Sequence, residues 1–253
     1  MQLKTAYLEK KGRIATITLN RPEVLNAADN QWVADLNALG DAVAQDDEVR
    51  VVIVTGAGRA FCTGIDLKAL SAGEIKMEFF HGWERAMRLF ETMEKVTIAG
   101  INGYCLGGGL QLAIACDIRV ARDDARLGLP AVKECLIPGL APYRLPRFIG
   151  MGRAKRLILS GDLITAREAR DMGLVDYLFK PKGYEAKLNE VAERFLKTAP
   201  TSSRLCKMLT NRAFDTPFEP FLKDYFKAQQ MAIESPEHKE AMAAYREKRE
   251  PRF

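Results

Sequence analysis

The chain has 253 residues, 47% hydrophobic and 28% charged, with 19 glycines and 11 prolines. That is the composition of a soluble globular protein, in one large domain or two small ones, whose core needs no disulfide staples. The net charge of +5 is a mild excess, and it does not point to nucleic acid. Lys and Arg alternate with Asp and Glu even in the C-terminal HKEAMAAYREKREPRF, as on a solvated helix face, and a small polyanionic ligand would suit the excess equally well.

Five cysteines, Cys62, Cys105, Cys116, Cys135 and Cys206, form no CxxC pair and show no metal spacing. They read as small hydrophobes in a reducing compartment, so a cytoplasmic location is expected. With only His81 and His238, far apart, no structural metal site is expected. No apolar run reaches the ~20 residues that span a bilayer. The N-terminal MQLKTAYLEKKG lacks an apolar signal core, which argues against secretion.

In chain order, YLEKKGRIATITLN predicts two short strands around Lys11-Gly12. NRPEVLNAADN predicts a loop. Residues 30–44 carry Trp32/Val33, Leu36, Leu39 and Val43 at helical spacing. VRVVIVTGAG is a continuous apolar run, which suits a strand buried in a parallel sheet, and GRAFCTGIDLKAL follows as a loop. Residues 74–95 predict an amphipathic helix with Met77, Phe80, Trp83, Met87 and Phe90 on its stripe. The strand VTIAGIN, a glycine-led helix over 107–115 and the strand CDIRVAR come next. A Pro/Gly-rich loop over 130–146 precedes a helix over 153–160, and TAREARDMGLVDYLF repeats the helix-to-strand theme. From about 184 onward the chain reads as helical. Strands and helices alternate as in βαβ-type units, so the fold class is α/β.

GYCLGGGLQLAIACD, residues 103–117, places three glycines at the mouth of a helix. Bare backbone there lets N–H groups without intrahelical partners approach a ligand, at the positive end of the helix dipole. Such a site suits an anion, or a carbonyl becoming one. The spacing fits neither the dinucleotide fingerprint nor the P-loop. Close packing of helix on strand would explain the glycines equally well, and from this stretch alone both readings stand.

The second loop, GAGRAFCTGIDLKAL, decides between them. Together with ITLNRPEVLNA, INGYCLGGGLQLAIACDIRVA, LIPG and EKREPRF, in that order from about residue 8 to the C-terminus, it makes the chain resemble the enoyl-CoA hydratase/isomerase (crotonase) family. The resemblance implies a spiral core of stacked ββα turns over residues 1–195. It also implies a C-terminal helical region over 196–253 that packs on the core and on neighbouring subunits, one functional unit assembled as a trimer or a dimer of trimers. The implied ligand is a coenzyme A thioester, with no permanently bound cofactor. Carried over by position, the thioester oxygen is held by the backbone N–H groups of Ile65 and Gly108. Residues Ile65, Asp66, Leu67 and Lys68 would line the coenzyme A channel beside Gly107 and Gly108. Lys68, Arg21 and Arg59 are candidates for the nucleotide phosphates, though each also fits an ordinary surface cation. Asp66 is expected to hold its loop through backbone hydrogen bonds rather than to act in catalysis.

Hydratases of this family carry two glutamates that activate water, at positions matched here by Gln111 and Ala131. An amide orients water but takes no proton near neutral pH, and alanine does neither. A further acid/base position of the family falls on Gly139, and so is also empty. Other groups must then supply the proton transfer. Glu84, at the edge of the apolar stripe of the 74–95 helix, matches a base position used by some members, with pairing to Arg88 as the bland alternative. Tyr143 in GLAPYRLPRF is a second candidate, followed by Tyr104, Cys105, Cys135 and His81, for which packing or surface placement serves as well. Glu134, an odd offset from Ala131 in what reads as an extended segment, is expected to point away from it into solvent. Two functions remain in view: a lyase or isomerase of a coenzyme A thioester with nonstandard acid/base residues, and a catalytically silent acyl-CoA carrier. A nucleic-acid-binding role ranks last.

Overall fold

The computed structural model describes residues 1–253. Its strands are β1 (Ala6–Lys11), β2 (Ile14–Leu19), β3 (Val51–Gly56), β4 (Ala60–Cys62) and β5 (Val96–Ile101) in the first part of the chain. Then follow β6 (Tyr104–Leu106), β7 (Ile118–Arg122), β8 (Arg126–Gly128), β9 (Leu163–Thr165) and β10 (Tyr177–Phe179). Two sheets result, in the orders β1-β2-β3-β5-β7-β10 and β4-β6-β8-β9. Each turn of the chain lays one strand in the first sheet and the next, only three residues long, in the second. β3 and β4, β5 and β6, and β7 and β8 follow this rule with parallel neighbours. This is the expected ββα spiral, although no sequence repeat betrays it.

The strand reading of VRVVIVTG is explained by its neighbours. β3 pairs in parallel with both β2 and β5, and Val51 to Val54 are buried without interruption. The strands of the second sheet leave no mark in the sequence, since three residues are too few to show a period.

The helices are α1 (Asn30–Gln45), α2 (Leu67–Ser71), α3 (Met77–Thr92), α4 (Gly108–Ala115), α5 (Ala141–Ile149) and α6 (Met151–Ser160). They continue as α7 (Ala166–Asp171), α8 (Tyr184–Leu196), α9 (Pro200–Arg212), α10 (Phe218–Glu234) and α11 (Pro236–Glu247). The predicted 74–95 helix is therefore shorter, with Lys76 as its N-cap. α1 begins where Asp29 accepts a hydrogen bond from Trp32 N, an ordinary N-cap. α1 and α3 join through stacked Trp32 and Trp83, ring centroids 5.0 Å apart, and the main core of 46 buried residues grows around them. No helix is long and apolar enough to cross a membrane.

The 130–146 stretch departs from the loop that its prolines suggest. It contains a short 3-10 helix (Pro130–Glu134), a turn, and then α5, which accepts Pro142 in its first turn and Pro146 inside it. Proline costs nothing in the first turn of a helix, where its missing N–H has no partner to lose. The GRAFCTGIDLKAL loop likewise resolves into β4 and α2.

Candidate functional site

A cavity of about 460 Å³ opens between the Gly64–Lys68 loop, α3, the start of α4 and the 130–139 segment. Phe79, Phe80 and Trp83 from α3, with Leu136, Ile137 and Pro138, make its walls apolar. The polar groups that face it are few, among them Glu84, Gln111, Glu134, Asp66 and Lys68.

Two backbone segments meet at the base of the cavity. Ala28 bridges Ile65 in parallel fashion: Ala28 N donates to Gly64 O at 2.7 Å, and Asp66 N donates to Ala28 O at 2.9 Å. This bridge consumes the groups on either side of Ile65 and turns the Ile65 N–H the other way, where it has no backbone partner. Gly108 opens α4, so its N–H has no acceptor four residues earlier in the helix. The two segments touch: a Cβ built on Gly64 would lie 2.8 Å from Gly108 N. A Cβ on Gly108 would lie 2.5 Å from Cζ2 of Trp83, so only glycine lets the indole pack beneath the amide. Both unpaired donors belong to residues that line the cavity.

The loop carrying Ile65 is clamped by side chains. Asp66 caps α2 by accepting from the N–H groups of Lys68 (3.0 Å) and Ala69 (3.3 Å), and its other oxygen takes Arg21 Nη2 at 3.1 Å. Asp66 thus has the loop-holding role that its sequence suggests. Arg21 is corrected. Its guanidinium also binds Ala27 O and pairs with Asp29, and it does not line the cavity. Asn26, fully buried at φ +58°, donates to Ala57 O and Ala60 O and accepts from Arg21 N. Its place in RPEVLNA is the signal by which it could have been singled out: asparagine tolerates the left-handed conformation and brings its own donors. Lys68 stands at the rim, lining the cavity beside the exposed Leu67, while Arg59 lies outside it.

Glu84 faces the cavity from α3, and its partner is not Arg88, which pairs with Glu91. Glu84 Oε2 accepts from Arg144 Nη1 at 2.8 Å and Oε1 accepts from Leu140 N at 3.1 Å. Arg144 is 4% exposed and also binds Glu91. Burial works against its charge, but the hydrogen bonds and charges of Glu84 and Glu91 outweigh it and hold its pKa above the ordinary arginine value. From α5 it is Arg144, not Tyr143, that reaches Glu84, from behind the cavity lining. Tyr143 lies outside the cavity, half exposed, where its hydroxyl donates to Asp215 at 2.6 Å and Arg147 stacks on its ring. Ala141, Arg144, Leu145 and Ile149 form the buried face of α5, so an arginine on an apolar stripe was the missed signal.

Gln111 and Ala131 both line the cavity. Gln111 is 5% exposed and its Oε1 has no hydrogen-bond partner. Gly139 closes over the same spot: a Cβ there would collide with Gln111 Oε1 and lie 2.8 Å from Glu84 Oε1. Glu134 does not turn away from Ala131. The segment is a 3-10 helix, in which side chains three apart eclipse, so both face the cavity, Glu134 at its exposed mouth. Cys105 is buried among core side chains, and burial pushes its thiol well above its ordinary pKa. Tyr104, His81 and Cys135 do not line the cavity.

A family model described as enoyl-CoA hydratase/isomerase matches residues 9–253. The chain is 34% identical to the short-chain-enoyl-CoA hydratase of Clostridium acetobutylicum, over 98% of this chain and 97% of that one. It is also 34% identical to the crotonyl-CoA hydratase of Syntrophomonas wolfei, over 100% and 99% of the two. Among solved structures, the enoyl-CoA hydratase from Bacillus anthracis superposes with a TM-score of 0.93 at 33% identity, covering 99% of each chain. A match of sequence, fold and length along the whole chain makes it a member of the enoyl-CoA hydratase/isomerase family, among the lyases and isomerases that act on coenzyme A thioesters.

Proposed function

We propose that the protein is an enoyl-CoA hydratase/isomerase-type enzyme that works through a thioester enolate, with Glu84 as a proton-transfer group. The observation that carries this reading is the pair of unpaired N–H groups, Ile65 and Gly108, on a cavity that Glu84 also faces. Negative charge forms on the thioester oxygen as the enolate develops. Two fixed donors stabilise it without reorganisation, and loss of one such donor typically costs ~2.7–4 kcal/mol of barrier. Backbone donors do not titrate, so this part of the machine is insensitive to pH.

In this proposal the positions of the family's two glutamates are held by Gln111 and Ala131. Gln111 orients water or substrate with its amide, and proton transfer falls to Glu84, which Arg144 and Leu140 N hold in one orientation. The apolar walls take the acyl group, and Lys68 at the rim meets the phosphates of coenzyme A. No permanent cofactor is required. Exposed apolar side chains near and along the C-terminal helices, Phe214, Phe218, Phe226 and Met231 among them, support assembly as a trimer or a dimer of trimers. The free thiols support a reducing, cytoplasmic setting.

The test is to follow crotonyl-CoA and a 3-enoyl-CoA in D2O by absorbance and by deuterium incorporation at Cα. Turnover with incorporation is the expected result, and with crotonyl-CoA both are lost in Glu84→Gln while binding persists. One observation favours the carrier instead: both oxygens of Glu84 are already engaged within the protein. Tight binding of both thioesters without turnover or incorporation would establish that second reading.

A further inference from the structure

Of the three carboxylates that line the cavity, Asp66 and Glu84 have partners within the protein and Glu134 has none. The short helix Pro130–Glu134 stops where Cys135 adopts φ +56° and turns its N–H back to the carbonyls of Ala131 and Val132. Leu136 N also donates to Ala131 O, at 2.9 Å. These bonds fix the 3-10 winding, which sets Glu134 over Ala131 one turn along, about 6 Å further on at the usual rise. Both residues line the cavity. Glu84 and Glu91 are tied to Arg144, whereas Glu134 faces the cavity with no ion pair or hydrogen bond inside the protein. Gln111, which also lines the cavity, keeps its buried Oε1 beneath Gly139 with no donor to it, so it takes up neither glutamate.

We infer that Glu134 is a second catalytic residue, which exchanges a proton with Cα of the thioester while Glu84 handles the proton of water. The inference rests on the enolate mechanism proposed above. In the hydration direction, Glu84 takes a proton from water as the water oxygen bonds to Cβ. The π pair of the double bond shifts to form the enolate, whose oxygen rests on the Ile65 and Gly108 amides. The enolate then takes the proton of the Glu134 carboxyl at Cα, and the thioester carbonyl re-forms. One water is consumed, Glu84 has gained a proton and Glu134 has lost one, and a proton passed between them through solvent restores the start. The chain thus moves a carboxyl one 3-10 turn from where the resemblance would put it, and leaves alanine behind.

Butyryl-CoA separates the two glutamates, since it has α-protons and no double bond to hydrate. In D2O the native enzyme and Glu84→Gln should exchange its α-protons, and Glu134→Gln should not. With crotonyl-CoA, Glu134→Gln should lower kcat by ~10²- to 10⁴-fold, the usual reach of general acid–base catalysis. KM should stay within a few fold. Adding Ala131→Glu to Glu134→Gln should recover kcat at least tenfold, a rescue that a merely structural role would not produce. Calorimetric titration with butyryl-CoA shows that each variant is folded. Native exchange rates in both Glu134→Gln and Glu134→Ala would overturn the assignment and leave the rest of the mechanism standing. A native enzyme that binds both thioesters yet neither exchanges nor hydrates would remove the enolate reading, and this inference with it.

Discussion

Arg144 Nη1 meets Glu84 Oε2 at 2.8 Å, from a side chain 5% exposed to one 27% exposed. A cation that deeply buried is stable only because Glu84 and Glu91 both answer its charge. The pair also ties α5 to α3 across the cavity wall, so the orientation of Glu84 depends on a residue 60 positions away.

Removing one partner of this pair is expected to be costly. Arg144→Met should destabilise the protein by about 3 kcal/mol, the lower end for breaking a buried pair, since both glutamates keep some solvent. Glu84→Gln combined with Arg144→Met should lose less than the sum of the single changes. Urea unfolding of the four proteins measures the coupling. In the Arg144→Met enzyme the proposed mechanism predicts that kcat also falls while the affinity for butyryl-CoA is retained, because Glu84 loses its orientation and the Ile65 and Gly108 amides are untouched.

Gly108→Ala places a methyl group 2.5 Å from Cζ2 and 2.7 Å from Cη2 of Trp83. The indole is stacked on Trp32 and cannot retreat freely. Overpacking of this kind costs about 1–3 kcal/mol, and it displaces the amide of residue 108. The expected result is a lower melting temperature, a changed near-ultraviolet tryptophan signal, and a fall in kcat larger than the rise in KM.

The buried thiols of Cys62 and Cys116 are pushed up to about 12, chiefly by burial, and Cys105 is raised well above its ordinary value for the same reason. None of the three supplies a nucleophile at neutral pH. Iodoacetamide at pH 8 should leave all three unmodified in the native protein and label them only after denaturation, which peptide mass analysis would show.

At the C-terminus, Arg249 holds Glu240 through a hydrogen bond of 2.6 Å, with a second from Arg252 N at 2.9 Å. These lower the Glu240 pKa from 4.5 to about 2. A carboxyl with a depressed folded pKa stabilises the folded state above its unfolded value and loses that contribution as pH falls toward the folded one. The Arg249–Arg252 tail should therefore loosen between pH 4.5 and 2. Amide exchange at Arg252 would report it, and Glu240→Gln should remove the pH dependence.

Much of this was legible in the sequence, for physical reasons that differ by element. α1, α3 and β3 carry long enough apolar patterns to declare their period, and the glycine triplet announces a backbone that something must approach. The second sheet is built from three-residue strands, which carry no period at all. α5 hides behind Pro138, Pro142 and Pro146, whose usual meaning is loop. Arg144, and the cavity-lining place of the exposed Glu134, are hard to read for one shared reason: which way a side chain points depends on helical winding in a segment that reads as irregular. An extended chain sends Glu134 away from Ala131, and a 3-10 helix stacks the two. The partners of Glu84 were out of reach for another reason, since they come from residues 140 and 144 and no local pattern encodes them.

The central claim is that the Ile65 and Gly108 amides polarise one thioester carbonyl. Infrared difference spectra of the protein with crotonyl-CoA, labelled with 13C at the thioester carbonyl, test it directly. Such polarisation moves the labelled band to lower wavenumber on binding, and moves it less in Gly108→Ala. A bound carbonyl band that stays where it lies in water would contradict it.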